Sequence, residues 1–140
     1  MTSQYLYEDL TGLIWKAYSP LFEEMKARPG LTQFQLANAV FDRFRDFDIC
    51  ASRDVPVIVR HDSAIGYGRF DIVVDCRVAV AVTQDCPTPH NYVERFKRHM
   101  EGMGLPVGAI LNFAAENARD GYKRIYLPEC DYTKLQRKNR

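Results

Sequence analysis

Apolar side chains recur every three or four positions over the first 46 residues, a pattern typical of helices with one buried face. The pattern predicts a first helix over residues 5–26. Pro20 lies inside it and predicts a kink, or an end followed by a restart with Ser19 as the N-cap. Residues 28–30 should break the chain, and Thr32 is the expected N-cap of a second helix. The N-terminal part of the chain is therefore expected to contribute two helices.

Beyond Asp46 the apolar positions alternate with polar or small ones, which is the period of β-strands. Residues 55–59, 70–74 and 78–83 predict three consecutive strands, with the tightest turn near residues 75–76. This pattern indicates a three-strand meander.

One helix and two strands are predicted to follow. Residues 87–103 predict the helix, with Thr88 as its cap and Pro89 in its first turn. An almost wholly apolar run at 107–113 predicts a strand buried on both faces, and residues 122–127 predict a last short strand. The order α-α-β-β-β-α-β-β predicts an α/β fold with a mixed sheet flanked by helices, because a meander followed by a helical crossover gives strands of both directions.

The composition limits both the size of the fold and its partners. The 140 residues, 46% of them hydrophobic, can bury one core, so a single domain is expected over residues 1–128, followed by a basic tail at 129–140. Lys and Arg number 19 against 18 Asp and Glu, so the whole chain has no electrostatic attraction to nucleic acid or to an anionic membrane. No apolar run is long enough to cross a bilayer, and no membrane partner is expected.

The four cysteines are widely spaced, form no C-x-x-C pair and follow no N-terminal signal peptide: Cys50, Cys76, Cys86 and Cys130. This usage indicates reduced thiols in an intracellular protein. Cys86 and His90 could be read as metal ligands, but structural zinc takes four ligands, usually at closer spacing. The simpler interpretation is a small buried cysteine and a histidine at a helix start, and no cofactor is expected.

One carboxylate, Asp71, lies in an apolar strand, and the next strand has the neutral residues Ala81 and Thr83 on one face. The order of elements and four short motifs resemble the PD-(D/E)XK nuclease superfamily and, within it, the small GxxExxY proteins. The motifs are residues 55–57, 69–74, 104–113 and 120–125. The resemblance covers about residues 10–127 and implies a restriction-endonuclease-like core.

The resemblance also implies where an active site would lie. In that family a glutamate of the second helix, an aspartate of the second strand, and a glutamate and a lysine of the third strand form the site. The carboxylates hold Mg²⁺, which stabilises the phosphodiester transition state, and the lysine orients the attacking water. Asp71 matches the aspartate, and Leu36 replaces the tyrosine of the GxxExxY motif. Gln33 replaces the helix glutamate, and Ala81 and Thr83 replace the glutamate and the lysine. The resemblance therefore implies a degenerate nuclease with no catalytic residues and no metal.

Active groups in this superfamily can also move to neighbouring elements and rebuild the site around Asp71. Four side chains are candidates for such a rebuilt site: Asp75, Asp85, Glu94 and Lys97. Asp75 should share the Asp71 face of its strand, and Asp85 should share the face of the third-strand positions. Alternatively, the Asp71 carboxylate is only structural and pairs with one polar neighbour: Arg69, Arg77 or Gln33.

The sequence is compatible with three functions. The first is a non-catalytic structural or protein-binding component of a larger assembly. Because proteins resembling the GxxExxY group occur in microbial genomes and in large DNA viruses, a virion- or capsid-associated role is one form of it. The second is nucleic-acid binding without cleavage, through the tail and a phosphate-contacting strip of five residues: Arg95, Arg98, His99, Lys123 and Arg124. The third is a Mg²⁺-dependent nuclease with a rebuilt site. No small-molecule substrate is evident, and the expected location is inside a cell or a virus particle.

Overall fold

Five strands form one mixed sheet with helices on both faces, in a computed structural model that describes residues 7–61, 64–85 and 88–128. The elements are α1 (Glu8–Lys26), α2 (Gln33–Asp46), β1 (Ala51–His61), β2 (Ala64–Val74), β3 (Val78–Thr83), α3 (His90–Met103), β4 (Val107–Asn112), α4 (Ala118–Gly121) and β5 (Tyr122–Tyr126). The predicted mixed α/β class is confirmed. The helix α4 is one turn long and was not predicted. The tail at 129–140 lies outside the described residues.

The strands lie side by side in the order β1-β2-β3-β4-β5. The first three form the predicted meander with antiparallel pairing, α3 crosses over so that β4 runs parallel to β3, and β5 returns antiparallel to β4. Every residue of β3 and β4 is buried, as expected for central strands covered on both faces. Strand β1 is an edge strand and contains Pro56. Proline has no N–H to donate to a neighbouring strand, and an edge strand tolerates it because it has a neighbour on one side only.

The sheet separates two cores. The helices α1 and α2 cover one face through residues such as Tyr18 and Phe44, and α3 covers the other through Phe96 and Met100. In the first core the Tyr18 hydroxyl donates a 2.7 Å hydrogen bond to the carbonyl of Asn112 at the end of β4. This bond satisfies a buried hydroxyl and fixes α1 against the sheet.

The helix α1 continues through Pro20, so the predicted break with Ser19 as N-cap is wrong. Pro20 itself is exposed, while Leu21 and Phe22 beside it are buried in the core. Packing of that apolar face offsets the hydrogen bond that proline removes. The described helix begins at Glu8, and the predicted start at residue 5 lies outside the described residues.

A capping box sets the start of α2, where Thr32 predicted it. Thr32 Oγ1 accepts a 3.2 Å hydrogen bond from the Gln35 backbone N–H, and Gln35 Oε1 accepts one of 2.8 Å from the Thr32 backbone N–H. This reciprocal pair fixes the first turn of the helix. It therefore holds Gln33, the first helical residue, in place beside the end of β3.

The helix α3 begins at His90, with Pro89 as its N-cap and no side-chain cap. The predicted capping role of Thr88 is wrong, because its hydroxyl accepts a 3.2 Å hydrogen bond from Asn112 Nδ2 instead. The helix ends as predicted, at Gly104, whose φ of 68° is the left-handed conformation that favours glycine.

Strands β1 and β2 extend well beyond β3. The strands predicted at 55–59 and 70–74 are parts of two strands of 11 residues each. Strand β2 pairs with β3 only over residues 72–74. The rest of the β1–β2 hairpin, residues 55–61 and 64–70, is called the hairpin arm below. It projects past the paired part of the sheet and packs against α3.

Within this hairpin the side chains change the face of the sheet that they serve. Ile72 packs in the core under α1 and α2, whereas Phe70 packs in the core under α3, although residues two apart in a regular strand point to the same side. The change falls at Asp54 and Asp71. These two residues lie opposite each other but are not paired, although the register of β1 and β2 is the same on both sides of them. Asp54 has a φ of 50°, a left-handed conformation within the strand, and the side chains on its two sides point to opposite cores. The arm therefore directs Val57 and Phe70 toward α3 and turns its other face outward.

The predicted tight turn joins β2 to β3. Asp75 and Cys76 have φ values of 51° and 57°, and the Arg77 N–H donates a 2.9 Å hydrogen bond to the Val74 carbonyl. This is the geometry of a type I′ turn, which favours Asn and Gly at its two central positions. Left-handed backbone costs other residues about 1–2 kcal/mol each, so Cys76 occupies a strained position.

Replacing Cys76 with glycine should raise the free energy of unfolding by about 0.5–1 kcal/mol, because the relief of strain exceeds the entropic cost of glycine. Cys50 provides the matched control, since its φ is not positive. Cys50→Gly should lower the free energy of unfolding. Urea denaturation of both variants measures the contrast, and equal destabilisation by the two would contradict the turn geometry.

Gly121 lies at the contact between α4 and β4, where an added Cβ would overlap the Asn112 carbonyl oxygen and the Tyr18 hydroxyl. Because the backbone carbonyl cannot move aside, Gly121→Ala should lower the free energy of unfolding by about 2–3 kcal/mol. Gly12→Ala in α1, with nothing within 4 Å of the new methyl group, should raise it by about 0.5–1 kcal/mol. Chemical denaturation compares the two, and a mild effect at Gly121 would refute this packing.

Candidate functional site

A cleft opens where the hairpin arm leaves β3. The β2–β3 pairing stops at Ile72 and Val80, so the last three residues of β3 are not paired with β2. The arm, the end of β3 and α3 surround an open cavity of about 480 Å³. Its lining includes all four positions to which the nuclease resemblance points: Gln33, Asp71, Ala81 and Thr83. The fold therefore brings together residues that lie far apart in the sequence.

Two of these side chains bind the backbone of the same residue, Val82. Asp71 Oδ2 accepts a 2.9 Å hydrogen bond from the Val82 backbone N–H, and Gln33 Nε2 donates one of 2.9 Å to the Val82 carbonyl. In a regular sheet the neighbouring strand would satisfy both groups. Because β2 has turned away, the carboxylate and the amide take the place of its backbone.

The expected partners of Asp71 need correction. Of the three polar neighbours predicted for it, Arg69 pairs through Nη1 with the Asp54 carboxylate at 2.9 Å, and Arg77 pairs with Asp75 at 3.8 Å. Gln33 does not pair with Asp71 directly but binds the carbonyl of Val82, the residue whose N–H donates to Asp71. The carboxylate of Asp71 is bonded to the backbone, an arrangement that side-chain patterns do not predict.

The two positions on β3 serve the fold. Ala81 is buried, and Thr83 is 4% exposed. Thr83 Oγ1 accepts a 3.2 Å hydrogen bond from the Asp85 backbone N–H, while the Asp85 carbonyl accepts one from Asn112 Nδ2. The threonine hydroxyl therefore shapes the loop that follows β3, and neither position supplies a carboxylate or an amine to the cleft.

The four residues considered for a rebuilt site are separated by the fold. Asp85 lines the cavity, as its position after β3 predicted. Asp75 does not share the Asp71 face, because it lies in the left-handed turn beyond the end of β2 and outside the cavity lining. Glu94 and Lys97 pair with each other on α3 at 3.6 Å, also outside the lining. Of the four, only Asp85 lies with Asp71 in the cavity lining.

The residues of the cleft do not fit the magnesium site that the resemblance implies. Mg²⁺ takes oxygen ligands in near-octahedral geometry, usually from carboxylates. One oxygen of Asp71 is engaged by the Val82 N–H, Asp85 is the other carboxylate in the lining, and Ala81 offers a methyl group. Among the described residues, no group of three or more His, Cys, Asp or Glu side chains is arranged to hold a metal ion. Cys86, half of the pair considered for zinc, lies outside them, as does Cys130, while Cys50 and Cys76 are exposed free thiols.

Two tyrosines line the cleft without having been predicted for it. Burial raises the pKa of Tyr92 to about 12, with the Asp71 carboxylate adding to the rise and Arg95 opposing it. The Arg95 guanidinium lies over the Tyr92 ring at 5.5 Å from its centroid. Tyr67, on the arm, is 79% exposed. The spacing of Tyr92, Arg95 and His99 places them on one helix face and could have predicted that they lie together. The position of Tyr67 could not be predicted in this way, because it depends on the left-handed conformation of Asp54.

The His99 ring lies against the arm. It contacts Gly68, where an added Cβ would meet the ring at 2.5 Å, and it packs edge-on against Phe70 at 6.3 Å between centroids. Burial lowers the pKa of His99, and Arg95 and Arg98 lower it further. The cleft therefore presents a neutral imidazole at pH 7.

The five residues considered for phosphate contact fall into two groups. Arg95 and His99 line the cleft, and Arg98 lies close enough on α3 to affect His99. Lys123 and Arg124 lie on β5, separated from β2 by β3 and β4, and consecutive residues of a strand point to opposite faces. The described structure does not join them into one strip, and the basic tail lies outside it.

No protein-family model, curated protein or solved structure matches the chain. The nuclease relationship is therefore a hypothesis that depends on the residues and topology of this chain. Among the described residues, the structure has no helix with the length and apolar character needed to traverse a bilayer.

The bonds to Val82 predict a structural role for Asp71. Asp71→Ala should lower the free energy of unfolding by about 1–3 kcal/mol, because a buried N–H loses a charged acceptor. Asp71→Asn should cost less, since the amide oxygen can still accept the bond. Asp85→Ala is the matched control in the same cavity and should stay within about 0.5 kcal/mol of the parent protein. Urea denaturation at pH 7 measures all three, and stabilisation by Asp71→Ala would contradict this role.

Proposed function

We propose that the chain is a non-catalytic protein with a PD-(D/E)XK nuclease-like fold, and that it acts as a structural or protein-binding component of a larger assembly. The observation that carries the proposal is the bonding of Val82. Asp71 and Gln33, the polar side chains at the positions of the family's active site, are both engaged by its backbone. The chemistry of the cleft thus maintains the fold.

The nuclease-like part of the proposal has two supports. Four positions that the resemblance selects from distant parts of the sequence line one cavity. The antiparallel meander followed by a helical crossover into a parallel strand is the arrangement that such a core needs. A degenerate site on a retained fold is consistent with a scaffold role.

The protein-binding part is supported by the outward face of the hairpin arm. Ile58, Ile65 and Tyr67 are 54%, 53% and 79% exposed there. Exposed apolar side chains that lie together often mark protein contacts. The nearly balanced charge of the chain also favours a protein partner over a polyanion. A virion- or capsid-associated role is one form of this function.

Nucleic-acid binding without cleavage is the second candidate. Arg95 in the cleft and the exposed Tyr67 ring at its rim favour it, because a cation and an aromatic ring are the groups that bind single strands. Asp71 and Asp85 in the same cavity oppose it, since they repel phosphate. A nuclease rebuilt around these two carboxylates is the third candidate.

Size fractionation of the endogenous protein, with and without nuclease treatment, tests the proposal. We expect migration in a large particle that survives nuclease digestion. Migration as a small free species would reject the assembly role. A particle that disappears on digestion would favour the nucleic-acid candidate instead.

A plasmid assay tests the absence of catalysis separately. Supercoiled plasmid incubated with Mg²⁺ or Mn²⁺ should stay intact with the parent protein and with Asp71→Ala alike, because the cleft lacks the carboxylate and the lysine of the family's site. Metal-dependent nicking that is lost in Asp71→Ala and in Asp85→Ala would establish the rebuilt nuclease.

A further inference from the structure

The outward face of the hairpin arm carries three large apolar side chains at neighbouring positions. Ile58 and Tyr67 are direct cross-strand partners, and Ile65 lies two residues from Tyr67 on the same side of β2. Val57, the neighbour of Ile58, points the other way and is buried against α3. More than half of each of the three outward side chains is exposed. They form one apolar strip, called the arm strip below.

The arm strip is exposed because the arm extends beyond α1 and α2, the helices that cover this face of the sheet. The core under α1 and α2 includes Ile72 of β2, which follows Asp71, the position where the side chains change faces. Beyond that point α3 covers the other face, through contacts with Val57 and Phe70. Among the described residues, no helix packs over the arm strip.

Positive charge flanks the strip. Arg60 is exposed and pairs in register with Ile65, and Arg69 lies two residues after Tyr67. Among the described residues beside the arm, Asp54 is an acid on this surface, and it lies 2.9 Å from Arg69 and 3.7 Å from Arg53. Two arginines therefore flank Asp54 at one end of the apolar strip, and Arg60 lies at the other end.

The surface continues onto α2. The Arg53 guanidinium lies over the ring of Phe34 at 5.6 Å from its centroid, and that ring is 57% exposed. An apolar segment seated on the arm strip could reach Phe34 past the arginines. A partner would gain most binding free energy here if it carried both apolar and acidic side chains.

We propose that the arm strip is the docking surface for a segment of a partner protein that combines apolar side chains with Asp or Glu. The inference rests on the proposed protein-binding function and names the surface and the chemistry of its partner. The apolar side chains of the segment cover Ile58, Ile65 and Tyr67, and its carboxylates face Arg60 and Arg69.

The composition of the strip favours this partner over nucleic acid. Tyr67 can stack on a base, but the two isoleucines can neither stack nor contact phosphate. They gain only from apolar side chains that exclude water.

Charge also argues against a second copy of the chain. A twofold contact through the strip would place the same patch against itself. Arg60 and Arg69 of one copy would then lie close to the arginines of the other, and like charges that face each other destabilise a contact. An acidic segment removes that repulsion.

The test is selection from a displayed library of random 12-residue peptides on the immobilised full chain, followed by fluorescence polarisation with one enriched, fluorescein-labelled synthetic peptide. We expect enriched sequences that combine apolar residues with Asp or Glu. The triple variant Ile58→Thr/Ile65→Thr/Tyr67→Thr should bind the peptide at least tenfold more weakly. Threonine keeps the preference for β-structure, and Tyr67→Thr alone serves if the triple variant does not fold.

Two further variants separate charge from general stickiness. Arg60→Glu should weaken binding several-fold and reduce its dependence on salt. Leu13→Gln removes another exposed apolar residue, on α1 and 37% exposed, and should stay within twofold of the parent protein. An unproductive selection, enrichment of basic peptides, or binding that ignores the triple substitution would overturn the proposal.

The alternative occupants have their own measurements. Sedimentation that shows a dimer lost in the triple variant would assign the strip to a second copy. Binding of a labelled 20-nucleotide single strand that is lost in the triple variant would assign it to nucleic acid. Either result overturns the peptide proposal.

Fractionation of the triple variant in the native source distinguishes this failure from failure of the proposed function. If the parent protein migrates in a large particle and the triple variant stays in it, the arm strip is not the contact but the assembly role stands. If the parent protein migrates as a free species, the assembly role itself fails. Release of the triple variant alone supports both.

Discussion

A buried N–H and C=O must find partners, and at Val82 the strand that would supply them has turned away. The arrangement of the cleft depends on which groups form hydrogen bonds with the N–H and the carbonyl of Val82. The capping box at Thr32 fixes the first turn of α2 and so places Gln33 beside the Val82 carbonyl. The change of side-chain direction at Asp54 and Asp71 places the Asp71 carboxylate beside the Val82 N–H. Side chains from α2 and β2 thus bind the backbone of one residue, and the cleft can stay open without leaving the N–H or the carbonyl of Val82 unpaired.

How much of this could be predicted from sequence depends on how local each interaction is. The meander, the buried central strand and the Thr32 cap follow from neighbouring residues, and all are confirmed. The continuation of α1 through Pro20 was missed because burial of a distant face outweighs a local signal. The arm was missed because its course depends on a left-handed aspartate, Asp54. The cleft positions were predicted through the resemblance, but the Val82 backbone group that they bind has no side-chain signature.

The two surfaces considered for function meet at one residue. Tyr67 lines the cleft and also belongs to the arm strip. Next to it, Gly68 lets the His99 ring approach the backbone, so the arm and α3 are in close contact along the cleft wall. A partner that orders the Tyr67 side chain would change the shape of the cleft. The partner and a ligand bound in the cleft would then change each other's affinity by the same factor. The proposed scaffold role and the shape of the cleft are therefore linked through Tyr67.

The edge strand β1 has a consequence for the behaviour of the protein at high concentration. A long edge next to exposed isoleucines would ordinarily recruit further strands and grow into fibres. Pro56 offers no N–H, and the left-handed Asp54 breaks the flat ladder that a foreign strand would need. Pro56 and Asp54 therefore disfavour pairing of a further strand with β1, so a partner at this edge is expected to bind through the exposed side chains.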